Sequence, residues 1–265
     1  MKKTLLIAAA ALAAGMLSVQ AQSNVYSQNI VGYANVVAPV GGKSYLINVP
    51  FKIGVSNGLN EVFGSTLPIG SQVLVWSVAN NSYTTYLYDP TDPNGVGAGA
   101  PVWYLSDDTT PADPIPTVPP GLGFFLIPNG AVTNSFSGAI AISTGTSNNM
   151  VLPVGGKNYL VSSAVPYSGA VTNGNSSGVG FNLNNLPIGS QLLVWSTASN
   201  SYTTILYDPT DPNGVGAGAP LWYLSDDTTP YVDPTTGGNT PNIAIGQSFF
   251  VIPNGSYTWT TGLSN

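Results

Sequence analysis

The peptide Ser82–Pro111 returns almost unchanged as Ser201–Pro230; the two stretches differ only at Tyr86/Ile205 and Val102/Leu221, and both exchanges keep strand-compatible residues. The chain therefore reads as an internal duplication, and whatever one copy does the other is expected to do. Other landmarks fix the register of the repeat. Pro39–Leu46 answers Pro153–Leu160, Leu67–Gln72 answers Leu186–Gln191, and Phe124–Gly130 answers Phe249–Gly255. The separation between matching landmarks grows along the chain, so the second copy carries insertions after Val165-Pro166-Tyr167 and after Thr229-Pro230. Both insertions are rich in Gly, Asn, Thr and Pro and read as surface loops.

Periodicity argues for strands in nearly every segment. Gln72–Ser77 is a short apolar run of the kind covered on both faces, with Trp76 expected in the core. A polar turn at Ala79-Asn80-Asn81 leads into Ser82–Tyr88, where alternate residues share a face, so the pair reads as a hairpin. Further strands are expected at 30–37, 44–49, 101–105, 123–127 and 132–142, and only Ser56–Phe63 looks helical. Asn-Gly pairs at Asn57, Asn94, Asn129, Asn173, Asn213 and Asn254 supply turn signals through their tolerance of positive φ. The expected fold is all-β: two tandem β-sandwich-like or small-barrel domains, 22–146 and 147–265, behind a leader at 1–21.

That leader has the features of a secretory signal. Lys2 and Lys3 precede the apolar Leu5–Leu17, and Val19-Gln20-Ala21 offers a small-residue cleavage site. The apolar run falls short of the ~20 residues of a membrane span. We therefore expect export to the periplasm, cell surface or exterior without membrane insertion. The sequence has no cysteine and no histidine, only five Lys and Arg together, and eleven acids. Loss of the leader removes two lysines, leaving Lys43, Lys52 and Lys157 and a mature charge of 3 − 11 = −8. Nucleic acid is excluded as a partner, because no basic surface exists to neutralise its phosphates. Charged residues make up 6% of the chain, so its polar surface must be built from amides and hydroxyls.

Chemistry has few places to reside. Without His, Cys or Arg, the common nucleophile–base pairs, thiol chemistry and imidazole metal ligands are absent. Glu61 is the one glutamate, and the second copy has no acid at its match, so no paired-carboxylate hydrolase is expected. The chain reads as a non-enzyme. Ten aspartates fall into two matched sets, and Asp89, Asp92 and Asn94, with Asp208, Asp211 and Asn213, are candidate Ca²⁺ ligands. The same residues equally suit turn chemistry, since Asp-Pro and Pro-Asn-Gly begin tight turns. One set of acids lies near each end of the 101–105 strand unless the 89–100 loop folds back. A third candidate is aromatic: Trp103-Tyr104 and Trp222-Tyr223 could form stacking platforms for a polysaccharide. Adjacent strand residues face opposite ways, so one ring of each pair is expected in the core.

The segment Asn24–Val36, with Leu46–Pro50, Val62-Phe63-Gly64, Leu67–Trp76 and Pro120–Phe125 after it, resembles a group of secreted, uncharacterised β-rich proteins from Planctomycetes–Verrucomicrobia bacteria. Their pattern is VYSxNxVGYxNV, then LPxGSxVxxW, then PGxGFF. The likeness covers nearly all of the first copy. The second departs from it at Ile245–Phe250 and has no Val-Phe-Gly. The resemblance implies an exported β domain and carries over no activity or site residues. Together these readings give an exported structural, adhesive or matrix protein with self-association in view. The alternative is a bivalent carbohydrate-binding protein, with or without calcium.

Overall fold

The computed structural model describes residues 31–95, 102–141, 147–174, 180–210, 212–214 and 221–262. The expected leader lies outside them. In the first half the elements are β1 (Val31–Ala38), β2 (Tyr45–Asn48), β3 (Phe51–Lys52), α1 (Leu59–Phe63), β4 (Gln72–Ser77), β5 (Ser82–Tyr88), β6 (Trp103–Leu105), β7 (Gly123–Ile127) and β8 (Val132–Ile140). In the second half they are β9 (Ser147–Leu152), β10 (Tyr159–Val161), β11 (Gly169–Ala170), β12 (Gln191–Ser196), β13 (Ser201–Tyr207), β14 (Trp222–Leu224), β15 (Asn242–Ile243), β16 (Phe249–Ile252) and β17 (Tyr257–Gly262).

The fold is all-β and sandwich-like, with no closed barrel among the described residues. Each half holds a five-stranded antiparallel sheet, ordered β2-β7-β4-β5-β6 in the first and β10-β16-β12-β13-β14 in the second. Position for position the order is the same, and so is the register: Trp76 faces Tyr83 across β4–β5, and Trp195 faces Tyr202 across β12–β13. A second layer covers one face of each sheet. It is β1-β8-β3 in the first half, and the pairs β17-β9 and β11-β15 in the second.

Between the layers lie two separate cores. In the first, Phe63 of α1 meets Trp103, Phe124 and Phe136 with ring centroids 6.0–6.1 Å apart. In the second, Phe181 packs against Phe249 and lies parallel to Trp259, whose indole N–H donates to the Phe181 carbonyl. Among the described residues the helix belongs to the first half alone, and Glu61 explains why. Its carboxylate accepts backbone N–H groups from Val55 at 2.7 Å and from Ser56 and Gly58 at 3.0 Å, which winds the preceding loop into the helix start. These bonds hold the Glu61 carboxyl down at about 2, against an ordinary value of 4.5.

The turn chemistry differs in part from expectation. Of the six Asn-Gly pairs, three use positive φ, at Asn57, Gly95 and Gly214, and those at Asn129, Asn173 and Asn254 do not. The hairpin turns rest on Asn81 and Asn200, with φ of 52° and 51°. Both tolerate the left-handed region because a short amide side chain can bond locally.

The outer faces of the two five-stranded sheets meet each other. Leu46, Phe125, Leu160 and Phe250 form a third buried cluster, with Leu74, Trp76, Tyr83, Leu193, Trp195 and Tyr202 packed around it. Trp76 is thus half-buried in this shared layer and outside the first core, which corrects the sequence expectation. The run Gln72–Ser77 is indeed covered on both faces, Val73 by its own core and Leu74 and Trp76 by the other half.

Contacts across the layer come in reciprocal pairs. The Trp76 indole N–H donates to the Asn158 carbonyl at 2.8 Å, and that of Trp195 to the Ser44 carbonyl at 2.7 Å. Trp76 packs edge-on to Phe250 at 5.1 Å, and Trp195 to Phe125 at 5.0 Å. Asn48 N–H donates to the Gly246 carbonyl and Ser162 N–H to that of Gly121. At the centre the Tyr83 and Tyr202 hydroxyls lie 3.3 Å apart. When residue i meets j′ and j meets i′, the two halves are related by a local two-fold axis. Truncating Trp76 to alanine should cost about 3 kcal/mol, as large-to-small changes at packed aromatics do. Trp76→Phe should cost about 1 kcal/mol for the lost hydrogen bond. Urea unfolding of the two variants checks the order.

Candidate functional site

The near-identical peptides bring three elements together in each half: the end of β5 or β13, the loop after it, and β6 or β14 with its own acidic turn. Asp89 accepts the Thr91 N–H at 2.8 Å and the Thr91 hydroxyl at 2.6 Å. Asp208 does the same with Thr210, at 2.7 and 2.5 Å. Beyond the next strand, Asp107 accepts the Thr109 and Thr110 N–H groups and the Thr110 hydroxyl, and Asp226 repeats this with Thr228 and Thr229. The two loops are tied together: the Asn94 side-chain amide donates to the Thr109 carbonyl at 2.6 Å, as that of Asn213 does to Thr228. The first loop therefore folds back over β6, and the acids at the two ends of the strand come to one side of it.

Tyr104 lies under this fold-back. Its phenol is pushed above its ordinary value by burial, then by the negative charges of Asp92, Asp89 and Asp108. In the second half Asp227 is raised by burial and by Asp208 and Asp226.

This arrangement overturns the stacking platform. Trp103 and Tyr104 are 1% and 0% exposed, and Trp222 and Tyr223 are both 0% exposed. Strand alternation does send the two rings of each pair to opposite faces. Trp103 and Trp222 enter their cores, and the folded-back loop covers the tyrosine side in the first half. None of the four offers a ring face to a sugar.

The candidate calcium ligands that are described have other partners. Among the described residues no three acidic side chains are grouped to hold a metal ion. Asp89 and Asp208 spend an oxygen on the neighbouring threonine, and Asn94 and Asn213 turn their amides to the opposite loop. Asp211 lies outside the described residues. What the aspartates visibly do is close turns, an Asx-type bond two or three residues ahead.

A feature the sequence reading left as a plain loop is more developed. The insertion after Pro230 is organised by Asp233, 3% exposed. Its carboxylate accepts N–H groups from Thr235, Thr236 and Asn242, all at 2.9 Å, and the Tyr231 hydroxyl at 3.3 Å. Burial alone would raise the Asp233 carboxyl, but these hydrogen bonds outweigh it and the net shift is downward. Between this insertion and β12–β13 runs a groove of about 620 Å³, lined by Trp195, Thr203, Tyr231, Val232, Asp233 and Asn242 among others. Its size is in the range of small-molecule sites. The signal available in the sequence was only the extra length of the second copy here.

No protein-family model, no curated protein and no solved structure matches the chain. Among the described residues no helix is long and apolar enough to cross a membrane.

The acidic turns generate a pH prediction. The Asp107 and Asp226 carboxyls are held at about 2 in the folded chain, against an ordinary 3.8, first by the Thr110 or Thr229 hydroxyl and then by backbone N–H groups. A depressed folded value means that the stabilisation is present above the unfolded value and is lost as pH falls towards 2. Thermal stability of the wild type should therefore drop through this window, and Asp107→Asn with Asp226→Asn should flatten the drop. Melting curves from pH 5 to pH 2 read this directly. Added calcium should leave the melting temperature unmoved at neutral pH; a rise abolished by chelator would restore the metal reading.

Proposed function

We propose that this chain is a non-enzymatic, exported structural or adhesive component of a bacterial envelope or extracellular matrix. One observation carries the reading: the aromatic rings that recur in both halves are taken up by internal packing. Trp103 and Trp222 sit in the two cores, and Trp76, Tyr83, Trp195 and Tyr202 join the halves. The acidic turns are likewise closed on their own threonines. What remains outside is a surface poor in basic groups that mixes hydroxyls and amides with single apolar side chains, as on the exposed face of β1–β8, where Asn35, Thr133, Ser135 and Ser137 stand beside Tyr33 and Val37. Such a surface hydrogen-bonds broadly and carries little charge. Export rests on the leader-like 1–21.

Fractionation of cells producing the full chain tests the proposal. Recovery in the surface or matrix fraction, released by denaturant, is the expected result; recovery in the cytoplasm overturns it.

A second reading has its own observation. The groove beside Asp233 is roomy and lined by rings and hydroxyls, which suits an uncharged saccharide. This would be carbohydrate binding by the second half alone, at a place other than the buried tryptophans. A glycan array of residues 22–265 should then show binding that is abolished by Thr203→Trp, which fills the groove. Binding that survives this substitution would remove the groove as the site.

A further inference from the structure

The layer between the halves consists of matched pairs. Leu46 and Leu160, Leu74 and Leu193, Trp76 and Trp195, Tyr83 and Tyr202, and Phe125 and Phe250 are corresponding positions, and each pair is identical. The surface that the first half presents is thus the surface it receives, which is the defining property of an isologous interface. Each half also keeps its own core, with Val78 of the first half packed against that of the second, so parting them exposes the shared layer and this one edge of the second core.

Among the matched pairs that are not identical, one stands on the axis. Gly123 and Ser248 are corresponding positions and face each other: a Cβ added at Gly123 would lie 2.7 Å from Ser248 Cβ and 2.9 Å from Leu160 Cγ. Ser248 is itself fully buried, and its N–H bonds back across the layer to the Leu46 carbonyl at 3.3 Å. The axis has room for one side chain and not for two. Glycine opposite serine satisfies it.

We propose that the halves are exchangeable between chains. The first half of one molecule docks on the second half of another through the contacts seen within one chain, and the Gly123/Ser248 pair dictates which half accepts which. The partner is a second copy of this chain. Reciprocal exchange gives a closed dimer, and serial exchange gives an open string in which every interface is the one described here. Exchange stands on the interface itself; its use in building a matrix rests on the functional reading above.

The axis allows a complementation test with full-length chains. In Gly123→Ser every contact between a first and a second half sets serine against serine. In Ser248→Gly every such contact sets glycine against glycine. Mixed together, the two variants can pair so that both interfaces of an exchanged dimer carry one serine and one glycine. An isotopically heavy Gly123→Ser chain is unfolded in urea with a light Ser248→Gly chain, refolded and read by native mass spectrometry.

The expected result is a one-to-one mixed dimer in several-fold excess over either homodimer, with the double variant Gly123→Ser/Ser248→Gly returning to wild-type behaviour. Monomers only, or mixed dimers no more abundant than homodimers, would overturn the proposal. If Gly123→Ser precipitates alone, its recovery in the mixed dimer is the readout. If it precipitates in the mixture as well, heavy and light wild-type chains refolded together must yield mixed dimers, and their absence overturns the proposal. Because fractionation reports location and not exchange, a failure here leaves the matrix reading standing, and a failure there leaves exchange standing.

Discussion

The layer of rings between the two five-stranded sheets is the contact on which the molecule's architecture depends. A sheet needs cover on each apolar face, and β1–β8–β3 covers only one face of the first. The other face carries Leu74, Trp76, Tyr83 and Phe125, residues whose exposure would form a sizeable apolar patch. Packing it against its own near-copy resolves this with residues the chain already has. Edge-on aromatic pairs such as Trp76–Phe250 and Trp195–Phe125 each contribute about 1 kcal/mol beyond the area they bury. The two indole N–H groups meanwhile satisfy backbone carbonyls that the contact would otherwise strand.

Much of this fold was legible in the sequence because strands leave a simple trace. The alternation in Ser82–Tyr88 and the apolar run Gln72–Ser77 gave β4 and β5 to the residue, and Gly123–Ile127 was equally plain. What was not legible depends on distant parts of the chain. Trp76 reads as core in any local window, since an apolar residue destined for its own core and one destined for the other half look alike. Two-residue strands such as β3 and β11 carry no period at all. Turn preference held at Asn94 and Asn213, where the glycine of the pair takes positive φ, and misled at Asn129, Asn173 and Asn254, where neither residue does.

The candidate site was legible only as an inventory. The matched aspartates were visible, but whether they converge depended on the fold-back of the 89–95 loop, which the Asn94–Thr109 hydrogen bond secures over 15 residues of chain. That fold-back does bring the two acidic loops to one side of β6. It also buries Tyr104, which strand alternation alone would have left open, and so removes the platform that the same alternation suggested. The Asp233 groove lay in an insertion whose composition announced nothing beyond a loop; its order comes from one buried carboxylate gathering three backbone N–H groups.

Two cores and one common aromatic layer also bear on how the protein comes apart. Were the halves independent, each would melt on its own terms and the less stable would go first. Here the loss of either half strips the cover from the ring face of the survivor, so the free energy of the layer is charged to whichever half unfolds. The surviving half inherits a large exposed apolar surface at that moment and loses much of its own margin. The chain then behaves as one cooperative unit although it contains two cores, and a lesion in the core of one half is felt as instability in the other.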